Sequence, residues 1–203
     1  MNSPLFYSKI LLFGEYGIIK NSKGLSIPYN FFKGGLKLGD LSNELIKESN
    51  EVLNGFADFL LKIKGSLVEF ENKKIKEDLG KGMYFDSTIP RGYGVGSSGA
   101  IVAAFYDRYA LNKITVLENL TKVKLLTLKK IFSEMEAYFH GTSSGLDPLN
   151  SYLSLPILIQ SKNNVETIGI PSQIKKGKGA VFLIDSGESS QTAPMIEVFL
   201  NSM

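Results

Sequence analysis

Cysteine is absent from the 203 residues, and histidine occurs only once. The absence of cysteine excludes disulfides, zinc–thiolate sites and cysteine nucleophiles. No apolar run approaches the roughly 20 residues that a membrane-spanning helix requires, and the N-terminus lacks the basic region of a signal peptide. We therefore expect a soluble cytoplasmic protein that has no membrane partner.

A large excess of charge of either sign is also lacking. The chain has 23 lysines and arginines and 20 aspartates and glutamates, which gives a net charge of +3. This small excess gives no special support to a nucleic-acid partner, and it suits anionic small molecules. Apolar residues make up 43% and charged residues 21% of the chain, which is ordinary for a globular protein. A chain of this length can bury a sizeable core in one domain, or in one domain and part of a second.

The order of the predicted elements favours an α+β fold. Apolar patterns predict strands at 9–14 and 83–89, and a helical face extends from 41 to 64. A capping box at Thr115–Glu118 predicts the start of another helix, which continues to about Phe139. Strands and helices do not alternate in the regular way that parallel βαβ units require.

A glycine-rich segment at 90–100, PRGYGVGSSGA, leads into an apolar helix. Glycines let the backbone approach a ligand closely, and a helix that begins after them directs free N–H groups at an anion such as phosphate. Two other interpretations stay open: a plain turn with a serine cap, and a dinucleotide motif, because Gly94, Gly96 and Gly99 fit G-x-G-x-x-G. A Walker A loop is excluded because no Lys-Ser or Lys-Thr pair follows the glycines.

Polar residues elsewhere in the chain are further candidates for chemistry. Lys9, at the start of an apolar strand, either reaches a phosphate or is an ordinary surface lysine. Glu136 lies four residues before His140 on one helix face, and a single carboxylate is enough for magnesium, whereas zinc is disfavoured without a second histidine. Asp147 is either a catalytic carboxylate or the N-cap of a helix that continues with Pro148.

Three blocks of the sequence, taken in order, resemble the GHMP kinases, named for galactokinase, homoserine kinase, mevalonate kinase and phosphomevalonate kinase. Residues 9–19, KILLFGEYGII, are similar to the N-terminal strand and G-E-[HY] turn of that family. Residues 90–100 are similar to its phosphate loop. Residues 136–147, EAYFHGTSSGLD, look like the mevalonate kinase pattern E-x3-H-G-x2-S-G-x-D.

The resemblance implies the α+β, ribosomal-protein-S5 domain 2-like fold of a GHMP kinase N-terminal domain. It implies ATP- and Mg²⁺-dependent phosphoryl transfer to a small alcohol, with mevalonate converted to 5-phosphomevalonate in isoprenoid synthesis as the nearest case. Asp147 would accept the hydroxyl proton, Lys9 would stabilise the developing charge, and Ser98 and Glu136 would hold the metal. The residues implied at the ATP phosphates are Pro90, Gly92, Gly94, Gly96, Ser97, Ser98 and Gly99, and those implied near the substrate are Glu15, Tyr16, His140 and Thr192.

Departures from the family pattern leave the substrate open. Tyr16 stands where mevalonate kinases often have histidine, Ser143 where proline is common, and Gly99 where alanine is common. Phosphomevalonate or another small alcohol is therefore an alternative acceptor. Thr192 is explained equally well as a helix N-cap before Pro194.

The length of the chain is a further departure, because family members are usually longer and carry a third glycine-rich motif in a C-terminal domain. We expect residues 1–175 to form the N-terminal, ATP-binding domain and residues 176–203 to begin a truncated C-terminal domain. An inactive nucleotide-binding fragment is thus an alternative to a working kinase. A homodimer is compatible with the sequence.

Overall fold

The computed structural model describes residues 4–63, 65–115, 120–169, 182–184, 187–189 and 192–202. The strands in these ranges are β1 (Phe6–Phe13), β2 (Gly24–Leu38), β3 (Met83–Ser87), β4 (Ile157–Ser161) and β5 (Asn164–Thr167). The helices are α1 (Glu44–Lys62), α2 (Asn72–Gly80), α3 (Ser97–Tyr109), α4 (Lys122–His140), α5 (Leu146–Leu153) and α6 (Thr192–Asn201), and a 3₁₀ helix spans Gly17–Lys20. The antiparallel sheet and its helices confirm the predicted α+β class.

The sheet is organised around the long strand β2. β1 pairs with β2 along one edge, and β4 and β3 pair with the beginning and the end of β2. β5 extends the sheet from β4, and every pairing is antiparallel. β1 is therefore an edge strand, and its edge away from β2 is available to a loop.

Helix α3 lies in the middle of the core. Nine of its thirteen residues are buried, and it packs against α4, α5, β1 and β2. Aromatic rings surround it: Phe56 of α1 meets Phe105 at a centroid distance of 5.0 Å, and Tyr106 meets Phe132 of α4 at 5.1 Å. Because this packing fixes the position of α3, the loop before its N-terminus is held in place as well.

The helix that was expected to begin at the capping box Thr115–Glu118 and to reach about Phe139 has a later start. Helix α4 begins at Lys122, and its N-cap is Thr121, whose hydroxyl accepts from Lys124 N–H at 3.3 Å. Residues 116–119 lie outside the described part of the chain. The S/T-x-x-E spacing alone does not determine where a helix begins. Helix α4 begins where the Thr121 hydroxyl accepts from the free N–H group of Lys124.

Asp147 is not the N-cap of α5, contrary to that interpretation of the Asp-Pro pair. The cap is Gly145, in the left-handed region at φ +73°, and Asp147 lies within the first helical turn. Gly145 packs directly on the Lys129 carbonyl of α4, where no side chain would fit. The carboxylate of Asp147 is therefore not used as the cap.

The predicted domain boundary at 175/176 lies outside the described residues and stays a prediction. Of the helices in the described ranges, none combines the length and the apolar character needed to cross a bilayer.

Candidate active site

The glycine-rich loop lies against the edge of β1 that faces away from β2. Lys9 N–H donates to the Val95 carbonyl at 3.0 Å, which fixes the loop beside the strand. Gly92, Gly94 and Gly96 have φ angles of +80°, +68° and +84°, which glycine adopts without strain. The chain then enters α3, whose first-turn N–H groups have no acceptor within the helix. This arrangement suits an anionic ligand such as phosphate.

Two glycines bring the start of α3 into contact with Lys9 and Asp147. A Cβ on Gly96 would lie 3.0 Å from Lys9 Cγ and 3.9 Å from Asp147 Cβ. A Cβ on Gly99 would lie 2.7 Å from the backbone carbonyl carbon of Asp147, closer than Cβ atoms approach in real proteins. Close packing of α3 on α5 therefore requires glycine, rather than alanine, at position 99.

Lys9 and Asp147 form an ion pair beside the loop. Lys9 Nζ lies 3.2 Å from Asp147 Oδ1, and the two side chains are 10% and 36% exposed. The lysine is thus nearly buried, whereas the carboxylate opens toward solvent. The two residues that the sequence resemblance implied as catalytic are therefore neighbours, although 137 positions separate them in the chain.

Glu136 is buried, with 4% of its surface exposed, and hydroxyl groups donate to both of its carboxylate oxygens. Ser98 Oγ donates to Oε1 at 2.9 Å, and Ser143 Oγ donates to Oε2. The helix α4 therefore delivers a carboxylate to the first turn of α3, where Ser98 lies. The pair implied as metal ligands is in direct contact.

His140 lies beside the same serine, with Nε2 2.9 Å from Ser98 Oγ. Ser98 has one hydroxyl proton, which it gives to Glu136, so the imidazole must donate through Nε2–H in this arrangement. The spacing of four residues from Glu136 places both side chains on one face of α4. His140 is thus a neighbour of Ser98; its predicted contact with substrate stays a prediction.

Burial, and after it the nearby negative charge of Asp147, raise the pKa of Glu136, which lies at about 7. The hydrogen bonds from Ser143 and Ser98 and the charge of Lys9 act in the opposite direction but do not cancel these effects. A buried carboxylate with hydroxyl partners costs free energy when ionised. A bound cation would remove that cost.

Ser98 and Glu136 fit magnesium, because a hydroxyl and a carboxylate are hard oxygen ligands. Within the described ranges, no group of three or more His, Cys, Asp or Glu side chains has the arrangement of a metal site. Magnesium is commonly held by one or two protein ligands, with waters and substrate phosphates completing its shell. The phosphate-binding geometry of the loop next to Ser98 is consistent with that mode.

The remaining residues predicted near the substrate lie in the turn after β1 and at the start of α6. Glu15 is exposed, and the described hydrogen bonds and ion pairs do not connect it to the Lys9–Asp147 pair. Tyr16 has φ +57°, and its ring stacks on Phe199 of α6 at a centroid distance of 5.6 Å. Thr192 begins α6, but its side chain lies outside the described part of the structure.

Pro90 and Ser97 stand at the two ends of the glycine-rich loop, and both are half-buried. Gly92 lies close to Ser189, because a Cβ on the glycine would be 3.0 Å from the serine Cβ. The phosphate-loop residues therefore form one continuous segment, whose predicted contacts with ATP stay a prediction.

Sequence reasoning missed the role of Ser143, which it treated only as a departure from a common proline. Its hydroxyl contacts Glu136, and its backbone carbonyl accepts from Ser133 Oγ at 2.6 Å. A serine hydroxyl seven residues after a helical glutamate gives no periodic signal, because the helix ends between the two residues.

Comparison with protein families finds that residues 61–154 match the model of the GHMP kinases N terminal domain. This range includes the glycine-rich loop, Ser98, Glu136 and Asp147. Over residues 61–154 the match confirms the resemblance to GHMP kinases that the sequence predicts.

Several solved structures match part of this chain. The mevalonate kinase of Methanococcus jannaschii has a TM-score of 0.48 and 21% identity, over 82% of this chain and 55% of its own. For the L. major mevalonate kinase in complex with R-mevalonate, the TM-score is 0.43 and the identity 18%, over 78% and 48%. For the mevalonate kinase of methicillin-resistant Staphylococcus aureus they are 0.44 and 21%, over 81% and 54%. The chain thus spans about half the length of these proteins, and a comparison with curated proteins found no match.

Proposed function

We propose that this chain binds ATP with Mg²⁺ and takes part in phosphoryl transfer to a small alcohol, with mevalonate as the first acceptor to test. The observation that carries the proposal is the convergence at the N-terminus of α3. The glycine-rich loop, the Ser98–Glu136 contact and the Lys9–Asp147 ion pair all meet there.

Each group of residues at the site has a separate role in the proposed reaction. N–H groups of the loop and of the first turn of α3 bind the ATP phosphates, because both direct partial positive charge at the anion. Asp147 accepts the proton of the acceptor hydroxyl. The hydroxyl oxygen then bonds to the γ-phosphorus, while the bond from that phosphorus to the bridging oxygen breaks and ADP leaves. Lys9 forms an ion pair with Asp147 and stabilises the charge that develops on the transferred group.

Ser98 and Glu136 are the proposed magnesium ligands. When bound, the ion neutralises phosphate charge during transfer. The buried carboxylate supports this assignment, because its raised pKa reflects an ionised form that the chain alone stabilises poorly. Ser98 fits the role because its Oγ is already 2.9 Å from Glu136 Oε1.

Mevalonate is proposed as the acceptor because of the sequence block at 136–147. Glu15, Tyr16, His140 and Thr192 are the proposed acceptor-binding residues. Phosphomevalonate and other small alcohols are the alternatives, because Tyr16 and Ser143 depart from the mevalonate kinase pattern.

The test is a coupled ADP-release assay with Mg·ATP, with and without mevalonate, and with phosphomevalonate as the competing acceptor. We expect acceptor-dependent release that falls at least about a thousandfold in Asp147→Asn, since the general base is lost. Full activity in Asp147→Asn would contradict the catalytic assignment. No ADP release, together with a melting temperature that Mg·ATP raises, would mean that this chain binds the nucleotide without turning it over.

A further inference from the structure

Ser143 forms hydrogen bonds to two parts of the candidate active site. The Ser143 hydroxyl donates to Glu136 Oε2, and Ser143 Oγ itself accepts from Gly145 N–H at 2.9 Å. Gly145 is the N-cap of α5, the helix whose first turn carries Asp147. One hydroxyl group therefore joins the carboxylate on α4 to the start of the helix that holds the other carboxylate.

The hydroxyl is held in this position by its own backbone. The Ser143 carbonyl accepts from Ser133 Oγ at 2.6 Å, so the turn after α4 is anchored to the helix it leaves. Gly145 then packs closely on the backbone of Lys129 and Ser133, where a side chain would not fit. A hydroxyl in a turn anchored at both ends has little freedom to move away from Glu136.

The bond to Glu136 also determines which carboxylate oxygen is available. Ser143 occupies Oε2, whereas Oε1 faces Ser98 on α3. A carboxylate with one oxygen fixed from behind cannot rotate about its last bond without losing that hydrogen bond. Oε1 is thereby kept on the side of the glycine-rich loop.

We propose that Ser143 is a positioning residue for magnesium-dependent nucleotide binding: it fixes Glu136 so that Oε1 and Ser98 Oγ present one shared face to the metal. The inference depends on the proposed function. Groups that orient a metal ligand from behind typically change metal affinity by about 10- to 100-fold when they are removed.

The experiment measures the affinity of a fluorescent ADP analogue for the full chain, once with Mg²⁺ and once with EDTA. In Ser143→Ala we expect affinity in Mg²⁺ to fall about tenfold, while affinity in EDTA stays within about twofold of the original chain. Ser143→Thr keeps a hydroxyl at the same position and is expected to restore most of the loss.

Ser144→Ala is the matched control, because Ser144 Oγ also accepts from a first-turn N–H of α5, that of Leu146 at 3.3 Å. Its hydroxyl shares the capping role of Ser143, whereas the described bond to Glu136 belongs to Ser143. We expect Ser144→Ala to leave the ratio of the Mg²⁺ and EDTA affinities unchanged.

Two results would overturn the inference. The first is an unchanged Mg²⁺ affinity in Ser143→Ala, and the second is an equal fall in Mg²⁺ and EDTA, which would mean a purely structural role. If Ser143→Ala does not fold, Ser143→Thr still tests the inference. A ratio of Mg²⁺ affinity to EDTA affinity that is about tenfold lower in Ser143→Thr than in the original chain would count against the inference, because the hydroxyl is still present. Failure of the unaltered chain to bind the analogue with Mg²⁺ would instead contradict the proposed function itself.

Discussion

Asp78 and Glu136 are both buried carboxylates, but the fold compensates them in different ways. Asp78 is 8% exposed, and its Oδ2 accepts from Arg108 Nε at 3.0 Å and Nη2 at 2.7 Å, and from the Tyr109 hydroxyl at 3.0 Å. Glu136 is 4% exposed, and its bonds come from the neutral hydroxyls of Ser98 and Ser143.

The difference shows which carboxylate is structural and which is available for a ligand. The Arg108 guanidinium supplies a full positive charge at Asp78. An ion pair in which the carboxylate charge is balanced therefore joins α2 to α3. Near Glu136 the positive charge is Lys9, whose Nζ pairs with Asp147. A carboxylate buried without such a partner keeps a desolvation cost that a cation would offset.

The largest effect is expected from Arg108→Met. This change leaves Asp78 buried without its positive partner, and we expect a loss of about 3 kcal/mol in the free energy of unfolding, measured by urea denaturation. Adding Asp78→Leu to the same chain removes the unpaired charge and should recover most of that loss. A single variant as stable as the original chain would mean that Asp78 does not need the guanidinium.

Glu136→Gln is expected to act in the opposite direction. In the absence of divalent cations the variant should gain about 2 kcal/mol of stability at pH 8, because it removes an ionised carboxylate that is disfavoured by burial. The folded-state pKa is raised from 4.5 to about 7, so the unfolded chain loses its proton first as the pH rises. The original chain therefore loses stability between pH 4.5 and 7, and the variant does not.

The measurement is the free energy of unfolding in EDTA at several pH values across that window. Equal stability of the two chains at pH 8 and at pH 4.5 would show that ionised Glu136 is already well compensated within the fold. Arg108→Met should lose stability at pH 8, so the two variants together separate a paired carboxylate from an unpaired one.

The smallest effect is expected from Tyr109→Phe. The change removes one neutral hydrogen bond to Asp78, while the guanidinium remains, and we expect a loss of about 1 kcal/mol. Burial and the adjacent carboxylate raise the pKa of Tyr109, so the phenol stays protonated and the effect should not vary between pH 6 and 9. A loss as large as that of Arg108→Met would mean that the hydroxyl, rather than the charge, stabilises Asp78.

The sequence predicted the parts of the site that are encoded locally. The glycines at 92, 94 and 96 mark positive-φ positions in a loop before a buried helix, and the structure has that loop and helix. The strand that carries Lys9 and the helix that carries Glu136 were also predicted from apolar patterns. These features depend on residues close together in the chain.

The parts that could not be predicted depend on contacts between distant segments. Asp147 precedes a proline as an N-cap residue often does, but Gly145 packs on Lys129 and caps the helix instead. The helix therefore begins at Leu146, one residue before Asp147. The contact of Ser143 with Glu136 follows from the turn after α4, and no spacing rule describes it. The proximity of Lys9 to Asp147 was predicted from the family resemblance alone, because no pattern in the residues between them indicates it.

Manganese binding in the presence of ADP tests the cation role of Glu136 most directly. Mn²⁺ replaces Mg²⁺ at oxygen-ligand sites, and its free concentration is read from its paramagnetic resonance signal. We expect the chain with ADP to bind Mn²⁺ at least about tenfold more tightly than Glu136→Gln with ADP, while Tyr109→Phe binds it as the original chain does. Equal Mn²⁺ affinity in Glu136→Gln and the original chain would contradict a metal site at Glu136.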